Sequence, residues 1–595
     1  MLLAARRLPS ALAQWLFRAL GAIVLVWSGL RAFGGKAHLW AFGVLPDIRF
    51  TSMAILTGTL RLRNGIRDVV HDEQIHDGAT YTNWGFGVPF LQAPFHLVAN
   101  HLRTLFPARF FPDRAIYFVY FVALVPLLWS AFHRLVGRHG VYADQPLRRH
   151  VLSWSAALLA STCALYPLMA TRFYVYEETI AYFELFELAA MAAYVFAAGE
   201  WRAFAVIGVG AAAGVGLLVR PTGLLYVGVW AFMIAAGSRR RRPVAMFVAG
   251  VAPFVAVWMW TNVVRSGSPF DFGLENSTPG TSYHTPMLRF GGLCSNDPGH
   301  LLASAGRLLR ALFVQVPTET PAWLARCHFD LETRPPESAV YARDAFLGPV
   351  VLALLAWILF SQLARRERRL TAYAPIAALA ALVGAYALAG AGFTWRYAGD
   401  LWPLVLLACV EYVRVLPASR NRWLGMPLAT ALVCASAIIT VREVSPGQPT
   451  IVTLDPDEYV YMWGHFEDAR HGKDPPLASR IACGDRPIWP WHNALGWDVG
   501  KQCTVDTFSN VYLGVRAGEG RRRTLRFVVD HAEQAPLRVY VNGRTYRTRT
   551  EGNTYVVDVS VDSGQLLSPA VQITIEWVPV YDDPPALHLQ SVELV

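Results

Sequence analysis

Eleven stretches of about twenty apolar residues run through this chain, and no other feature limits its fold as strongly. They lie near residues 12–33, 113–133, 151–170, 179–199, 203–219, 221–237, 243–262, 345–364, 371–392, 399–416 and 423–441. A bilayer core about 30 Å thick is crossed by about 20 apolar residues, and a helix satisfies its own backbone hydrogen bonds there. The 595 residues are 54% hydrophobic and 16% charged, with a mean hydropathy of +0.32. This excludes an ordinary soluble protein and predicts a polytopic α-helical membrane protein of about eleven transmembrane helices.

The formal charge of +10 would raise the question of nucleic acid in a soluble chain. Here the arginines sit mostly in short loops between apolar runs, where they fix orientation, so membrane lipid is an expected partner and nucleic acid is not. With the N-terminus in the cytoplasm, Arg6, Arg7, Arg134 to Arg149, Arg202, Arg239 to Arg242, Arg365 to Arg369 and Arg420 to Arg422 all fall inside. Eleven crossings then place loops 34–112 and 263–344, and the chain beyond residue 443, outside a cell inner (plasma) membrane. The first run has no convincing small-residue cleavage site before Lys36 and reads as a retained helix. Cys163, Cys409 and Cys434 fall within apolar runs, whereas Cys294 and Cys327 share an outward loop and Cys483 and Cys503 share the C-terminal region. Two disulfides, Cys294–Cys327 and Cys483–Cys503, are expected in an oxidising compartment.

The pattern divides the chain into a transmembrane domain, 1–443, and a β-rich extracytoplasmic domain, 444–595. In the latter, Leu525 to Val529, Leu537 to Val541, Tyr555 to Val561 and Val571 to Trp577 read as strands of a sandwich or jelly roll. Asn542-Gly543 is a two-residue hairpin signal. Such sandwiches often bind sugar, but a fold alone does not give a function.

A transporter tends to line its route with polar residues midway through its helices. Here the informative polar residues are expected at outer helix ends and in outward loops. The first outward loop contains Pro46-Asp47-Ile48-Arg49-Phe50 and Asp77-Gly78-Ala79-Thr80-Tyr81-Thr82-Asn83-Trp84-Gly85-Phe86-Gly87-Val88-Pro89, with Pro94 in the apolar run that follows. Arg220-Pro221-Thr222-Gly223, then Asn262 to Gly273 with Gly267-Ser268-Pro269-Phe270-Asp271-Phe272-Gly273, and Trp395-Arg396-Tyr397 before Leu401-Trp402-Pro403-Leu404 follow in order. Over roughly residues 40–410 this series resembles the bacterial GT-C glycosyltransferases that use polyprenyl-phosphate sugars. The resemblance implies a polyprenyl-phosphate-linked sugar donor and an extracytoplasmic glycan, lipid or protein acceptor.

Such transfer needs a base for the acceptor hydroxyl and cations for the departing phosphate. Asp47 matches the family's catalytic acidic residue, although a solvated or helix-capping Asp is the plainer alternative. Members often carry two adjacent acids there, whereas this chain has Ile48 next, which leaves open a second carboxylate or a metal held by two. Glu177 or Glu178 would assist, or would stabilise a helix N-terminus through its dipole. Arg220 and Arg396 are phosphate candidates whose alternative is reaching to lipid head groups. Arg49 could pair with Asp47 or bind phosphate.

His284, Tyr81, Trp84 and Tyr397 complete the expected substrate cavity; the aromatics could equally belong to the interfacial belt. Asp271 and Glu275 read as loop charges with no assigned role. No metal motif, Walker A loop or dinucleotide fingerprint occurs, so ATP-driven transport and redox chemistry are disfavoured and no cofactor is assigned. A loosely held divalent cation stays open. The competing readings are a lipid-diphosphate-dependent oligosaccharide ligase or polymerase, a lipid-linked sugar transporter or flippase, and an inactive scaffold presenting the β domain.

Overall fold

The computed structural model describes residues 10–40, 47–64, 73–76, 79–82, 84–106, 110–140, 142–169, 173, 175–198, 200–238, 240–270, 370–389, 399–415, 479–485, 494–497, 503–514, 522–530, 537–541, 544–560, 570–577 and 587–595. The chain divides into two compact units. The first consists of Met1–Ser52, Trp84–Trp260 and Arg289–Pro456, and the second of Met53–Asn83, Thr261–Leu288 and Asp457–Val595.

The helices in chain order are α1 (Ser10–Ala32), α2 (Lys36–Leu39), α3 (Asp47–Leu56), α4 (Gly87–His101), α5 (Asp113–Arg138), α6 (Pro146–Met169) and α7 (Val175–Ala197). They continue as α8 (Ala203–Val219), α9 (Gly223–Ser238), α10 (Arg241–Ser266), α11 (Ala374–Ala389) and α12 (Trp402–Val415). Nine of the eleven apolar runs thus carry a helix among the described residues, while 345–364 and 423–441 lie outside them. By length and composition, Ala11–Ala32, Asp113–Arg138, Glu177–Ala197 and Arg241–Ser266 can each cross a membrane, and α8 and α9 are shorter apolar helices.

Local chemistry sets several helix ends. Pro221 disfavours helical backbone at the residue before it, and Arg220 accordingly leaves α8 in an extended conformation at φ −143°, ψ 140°. α5 begins directly after Pro112, with Asp113 in its first turn, and α7 opens with Glu177 and Glu178. Acidic side chains there complement the positive end of the helix dipole.

α7 is the most enclosed of the long helices, with 83% of its apolar window buried against 17% for α1. Ile180, Phe183, Leu188, Met191 and Val195 join one apolar core with Phe121, Leu128, Val209, Trp230 and Val405 of the neighbouring helices. The same helix corrects one expectation. Charged groups do sit within the apolar helices: Glu184 and Glu187 midway along α7, and Glu411 in the C-terminal half of α12, are all buried. Each lies four or more residues inside an apolar run, so a mean hydropathy reading absorbs it. Glu187 accepts a hydrogen bond from Trp230 Nε1 at 2.8 Å, and a side chain at Gly216 would come within 2.6 Å of its Oε1. Glu411 is met by Tyr194 Oη at 3.3 Å and by Arg414 through Nε and Nη2, each at 2.6 Å.

In the second unit, β1 (Arg63–Asn64), β2 (Glu73–His76) and β3 (Ala79–Thr82) form an antiparallel sheet ordered β1-β3-β2. Gly267 has φ +79°, and a side chain there would meet the His76 ring at 2.9 Å, so both its conformation and its position call for glycine. The adjacent turn is tied by Asn262 Nδ2 donating to the Pro269 carbonyl at 3.1 Å.

The C-terminal strands are β4 (Arg480–Ala482), β5 (Ala494–Trp497), β6 (Thr504–Gly514), β7 (Arg522–Val529), β8 (Leu537–Val541), β9 (Arg544–Tyr546), β10 (Arg549–Glu551), β11 (Thr554–Ser560), β12 (Ala570–Trp577) and β13 (Leu587–Leu594). They form an antiparallel sheet of ten strands, ordered β10-β11-β7-β13-β6-β12-β8-β9, with β4 on β13 and β5 on β6. All four sequence-predicted runs carry strands, with Val561 outside the described residues. Val541 pairs with Arg544, the register that a two-residue hairpin connection at Asn542-Gly543 requires. β7 alternates as the period of two demands, with Leu525, Phe527 and Val529 buried and Arg526 and Val528 exposed. Val511, Val539, Tyr555 and Leu589 from the other strands complete the same core. The Cys483–Cys503 disulfide forms, with Cα atoms 5.5 Å apart, whereas Cys294 and Cys327 lie outside the described residues.

Candidate functional site

The first turn of α3 brings Asp47 and Arg49 to the start of a helix, and Arg49 is 1% exposed. Its guanidinium pairs with Asp113 of α5 and with Glu178 Oε2 of α7 at 2.9 Å. Gln92 Nε2 of α4 donates to Glu178 Oε1 at 2.5 Å. Arg114, also buried, acts on the same carboxylate electrostatically. This pairing matters because desolvating one ion costs several kcal/mol, and only matched partners offset it.

His96 lies one turn beyond Gln92 on the same face of α4. Its Nδ1 accepts the Phe111 backbone N–H at 3.2 Å, so the neutral ring carries its proton on Nε2. The Phe110 ring packs edge-on against it at 5.4 Å. Burial, and then the positive charge of Arg49, hold the imidazole down to about 3.

A second charged group forms around the α8–α9 turn. Arg220 donates from Nη2 to Asp400 Oδ2 at 2.9 Å and from Nη1 to Thr179 Oγ1 at 3.2 Å. Tyr226 Oη donates to the Asp400 backbone carbonyl. Glu178 and Thr179 are consecutive, so the first turn of α7 joins the two groups. The glycines of the Trp84-Gly85-Phe86-Gly87 stretch have a physical reason here. A side chain at Gly85 would collide with the Leu218 and Val219 carbonyls, and one at Gly87 would meet Val219 N at 2.6 Å. Only glycine lets the start of α4 rest on the end of α8, directly before Arg220.

Of the sequence-predicted site residues, Arg49, Glu178 and Arg220 are brought into these two groups. Glu177 is also buried at the start of α7. Asp47 starts α3, with its side chain outside the described residues. Trp84 packs on the helical core, and Tyr81 is buried in β3 of the other unit. Arg396, Tyr397 and His284 lie outside the described residues. Arg49 finds its partners on α5 and α7, 64 and 129 residues away.

Sequence reasoning missed Gln92, His96, Asp113, Arg114 and Asp400. Asp113-Arg114 had a readable signal, a charged pair directly after Pro112 at an outward helix start. Asp400 stands between the quoted Trp395-Arg396-Tyr397 and Leu401-Trp402-Pro403-Leu404 segments. Gln92 and His96 are four apart on a mostly apolar helix, the spacing of a shared helix face.

Fold and site together define a polytopic membrane protein with buried groups of paired charges gathered where α3, α5 and α7 begin and α8 ends. No protein-family model matches the chain, and no curated protein does. Among solved structures it is similar to the Archaeoglobus fulgidus oligosaccharyltransferase in the apo form, at 11% identity and a TM-score of 0.38, over 72% of this chain and 57% of that one. It is also similar to the arabinosyltransferase EmbB from Mycobacterium smegmatis, at 11% identity and a TM-score of 0.24, over 98% of this chain and 66% of that one. The chain thus spans 57% and 66% of the lengths of these two structures.

Proposed function

We propose that this protein is a GT-C type glycosyltransferase of the cell inner membrane that moves a sugar from a polyprenyl-phosphate carrier to an extracytoplasmic glycan, lipid or protein. The observation that supports it is the pair of buried guanidinium–carboxylate groups joined through Glu178 and Thr179. Enzymes that transfer from a charged leaving group use such prearranged cations.

In the proposed step, the acceptor oxygen attacks the anomeric carbon from the face opposite the phosphate, with inversion. The bond from that carbon to the phosphate oxygen breaks, its electron pair leaves with polyprenyl phosphate, and the hydroxyl proton goes to a carboxylate. Asp47 is the favoured base, because Glu178 is already engaged by Arg49 and Gln92. Arg49 then acts as a positioning residue, its two ion pairs holding the first turn of α3 in place. Arg220 and Arg396 are the phosphate-binding candidates. Asp400 fixes Arg220 and, four residues after Arg396, anchors the entry to α12. The β-rich domain positions the acceptor.

The buried carboxyls Glu184, Glu187 and Glu411 within apolar helices favour one second reading, a lipid-linked sugar transporter or flippase. The distinguishing experiment measures release of polyprenyl phosphate from a panel of polyprenyl-phosphate sugars, with a proven pool of envelope acceptors. Wild type is expected to release it, and a folded Asp47→Asn variant to be slower by about 10²-fold or more. Undiminished release by Asp47→Asn moves the base to Glu177 or Glu178. No release from any monophosphate donor counts against the transferase reading, and turnover of a diphosphate-linked donor would then identify a ligase or polymerase.

A further inference from the structure

We infer that α1, α5 and α6 form a binding site for the phosphate of an anionic phospholipid, at the end of the bundle where α1 begins. The inference is independent of the glycosyl-transfer reading.

Trp129 and His133 are four residues apart on α5, and His150 and Trp154 four apart on α6. Their rings lie nearly parallel. Trp129 is 5.0 Å from His133, 5.6 Å from His150 and 5.7 Å from Trp154 between centroids, and His133 stacks on His150 at 4.7 Å and 11°. Arg18 of α1 sits over the Trp129 ring, with Cζ 5.3 Å from its centroid. Arg149 Nη2 donates to the His133 carbonyl at 3.2 Å. Both guanidiniums are close enough to act on both imidazoles electrostatically.

Two features of this cluster call for an anion. Among the described residues, no carboxylate pairs with Arg18 or Arg149. Trp129 Nε1, Arg149 Nε and His150 Nδ1 are buried with no hydrogen-bond partner among those residues, and His150 is 1% exposed. Arg18 lies eight residues into α1, roughly 12 Å along its axis, within an otherwise apolar stretch. Arg18 is itself exposed on α1, and its stacking on Trp129 holds the guanidinium at the cluster, open to a partner.

A phosphodiester supplies one negative charge and several acceptor oxygens, which suits two guanidiniums and an indole N–H. The exposed Trp15, Leu20 and Ile23 on α1 give its acyl chains an apolar surface, which favours a lipid over free phosphate. Choline would bring a second cation towards the arginines, so an anionic head group is preferred.

The test uses the full-length protein in nanodiscs of phosphatidylcholine with a minority of phosphatidylglycerol, and native mass spectrometry to count retained lipid. Wild type is expected to retain phosphatidylglycerol with about a tenfold preference, equivalent to about 1.4 kcal/mol. Arg18→Gln and, separately, Trp129→Phe are expected to lose that preference, while Arg242→Gln, an exposed arginine elsewhere, keeps it. Trp129→Phe retains the packing, so a failure of Arg18→Gln to fold leaves the test intact. No preference in wild type, or an equal loss in Arg242→Gln, overturns the site. Displacement of the lipid by millimolar inorganic phosphate would overturn its assignment to lipid.

Discussion

The helical unit and the C-terminal sheet each pair an arginine with two carboxylates, in opposite surroundings. Arg49 and Asp113 are 1% and 0% exposed, whereas Arg549 and Asp558 are 55% and 61% exposed. Arg549 reaches Glu551 and Asp558 within a single hairpin, while Arg49 gathers its partners from two other helices. Water already solvates the hairpin charges, so their pairing adds little. In the bundle the charges must find one another or remain uncompensated. A buried, nonlocal charge group therefore constrains the relative placement of α3, α5 and α7 in a way that the exposed one never constrains the sheet.

The sharpest way to break this contrast is to remove each arginine. Arg49→Ala leaves Asp113 and Glu178 buried without their shared cation, and is expected to cost about 3–5 kcal/mol and to abolish the proposed transfer. Thermal unfolding in detergent, with the polyprenyl-phosphate release assay alongside, measures both. Arg49→Lys keeps the charge but cannot reproduce the planar fork, and should fall between.

His96 sharpens the comparison through pH. Its folded imidazole is held at about 3, against an ordinary value of 6.5, so between those values the unfolded chain binds a proton that the folded chain refuses. The contribution is fully present above about pH 6.5 and is lost as pH falls towards 3. The unfolding temperature should decline through that window, and His96→Gln should flatten the decline. A wild-type profile without the decline counts against a buried neutral imidazole.

The smallest effect is predicted for Arg549→Ala, which should leave the unfolding temperature unchanged within error, because both of its partners stay hydrated. A loss comparable to that of Arg49→Ala would remove the distinction between the two regions.

Much of the scaffold was legible in the sequence because its causes are local. Runs of apolar residues marked the helices, and short runs rich in branched and aromatic residues marked four of the strands. The site was legible only in part. Arg49, Glu178 and Arg220 were picked out, but Arg49 was expected either to pair with its neighbour Asp47 or to bind phosphate, and Asp113, Gln92, His96 and Asp400 were passed over. Glu184, Glu187 and Glu411 escaped because two carboxyls in a run of about twenty mostly apolar residues still leave its hydropathy average high.

By itself the sequence determined that this chain is built of membrane-type helices followed by an antiparallel β region, since backbone satisfaction in lipid and the period of a strand act over a few residues. The tertiary structure alone decided which charges meet. Arg49 reaches Asp113 and Glu178, and Arg220 reaches Asp400, only because α3, α5, α7 and α8 pack with their ends together, and the free energy of a buried charge depends on that packing rather than on its neighbours in the chain.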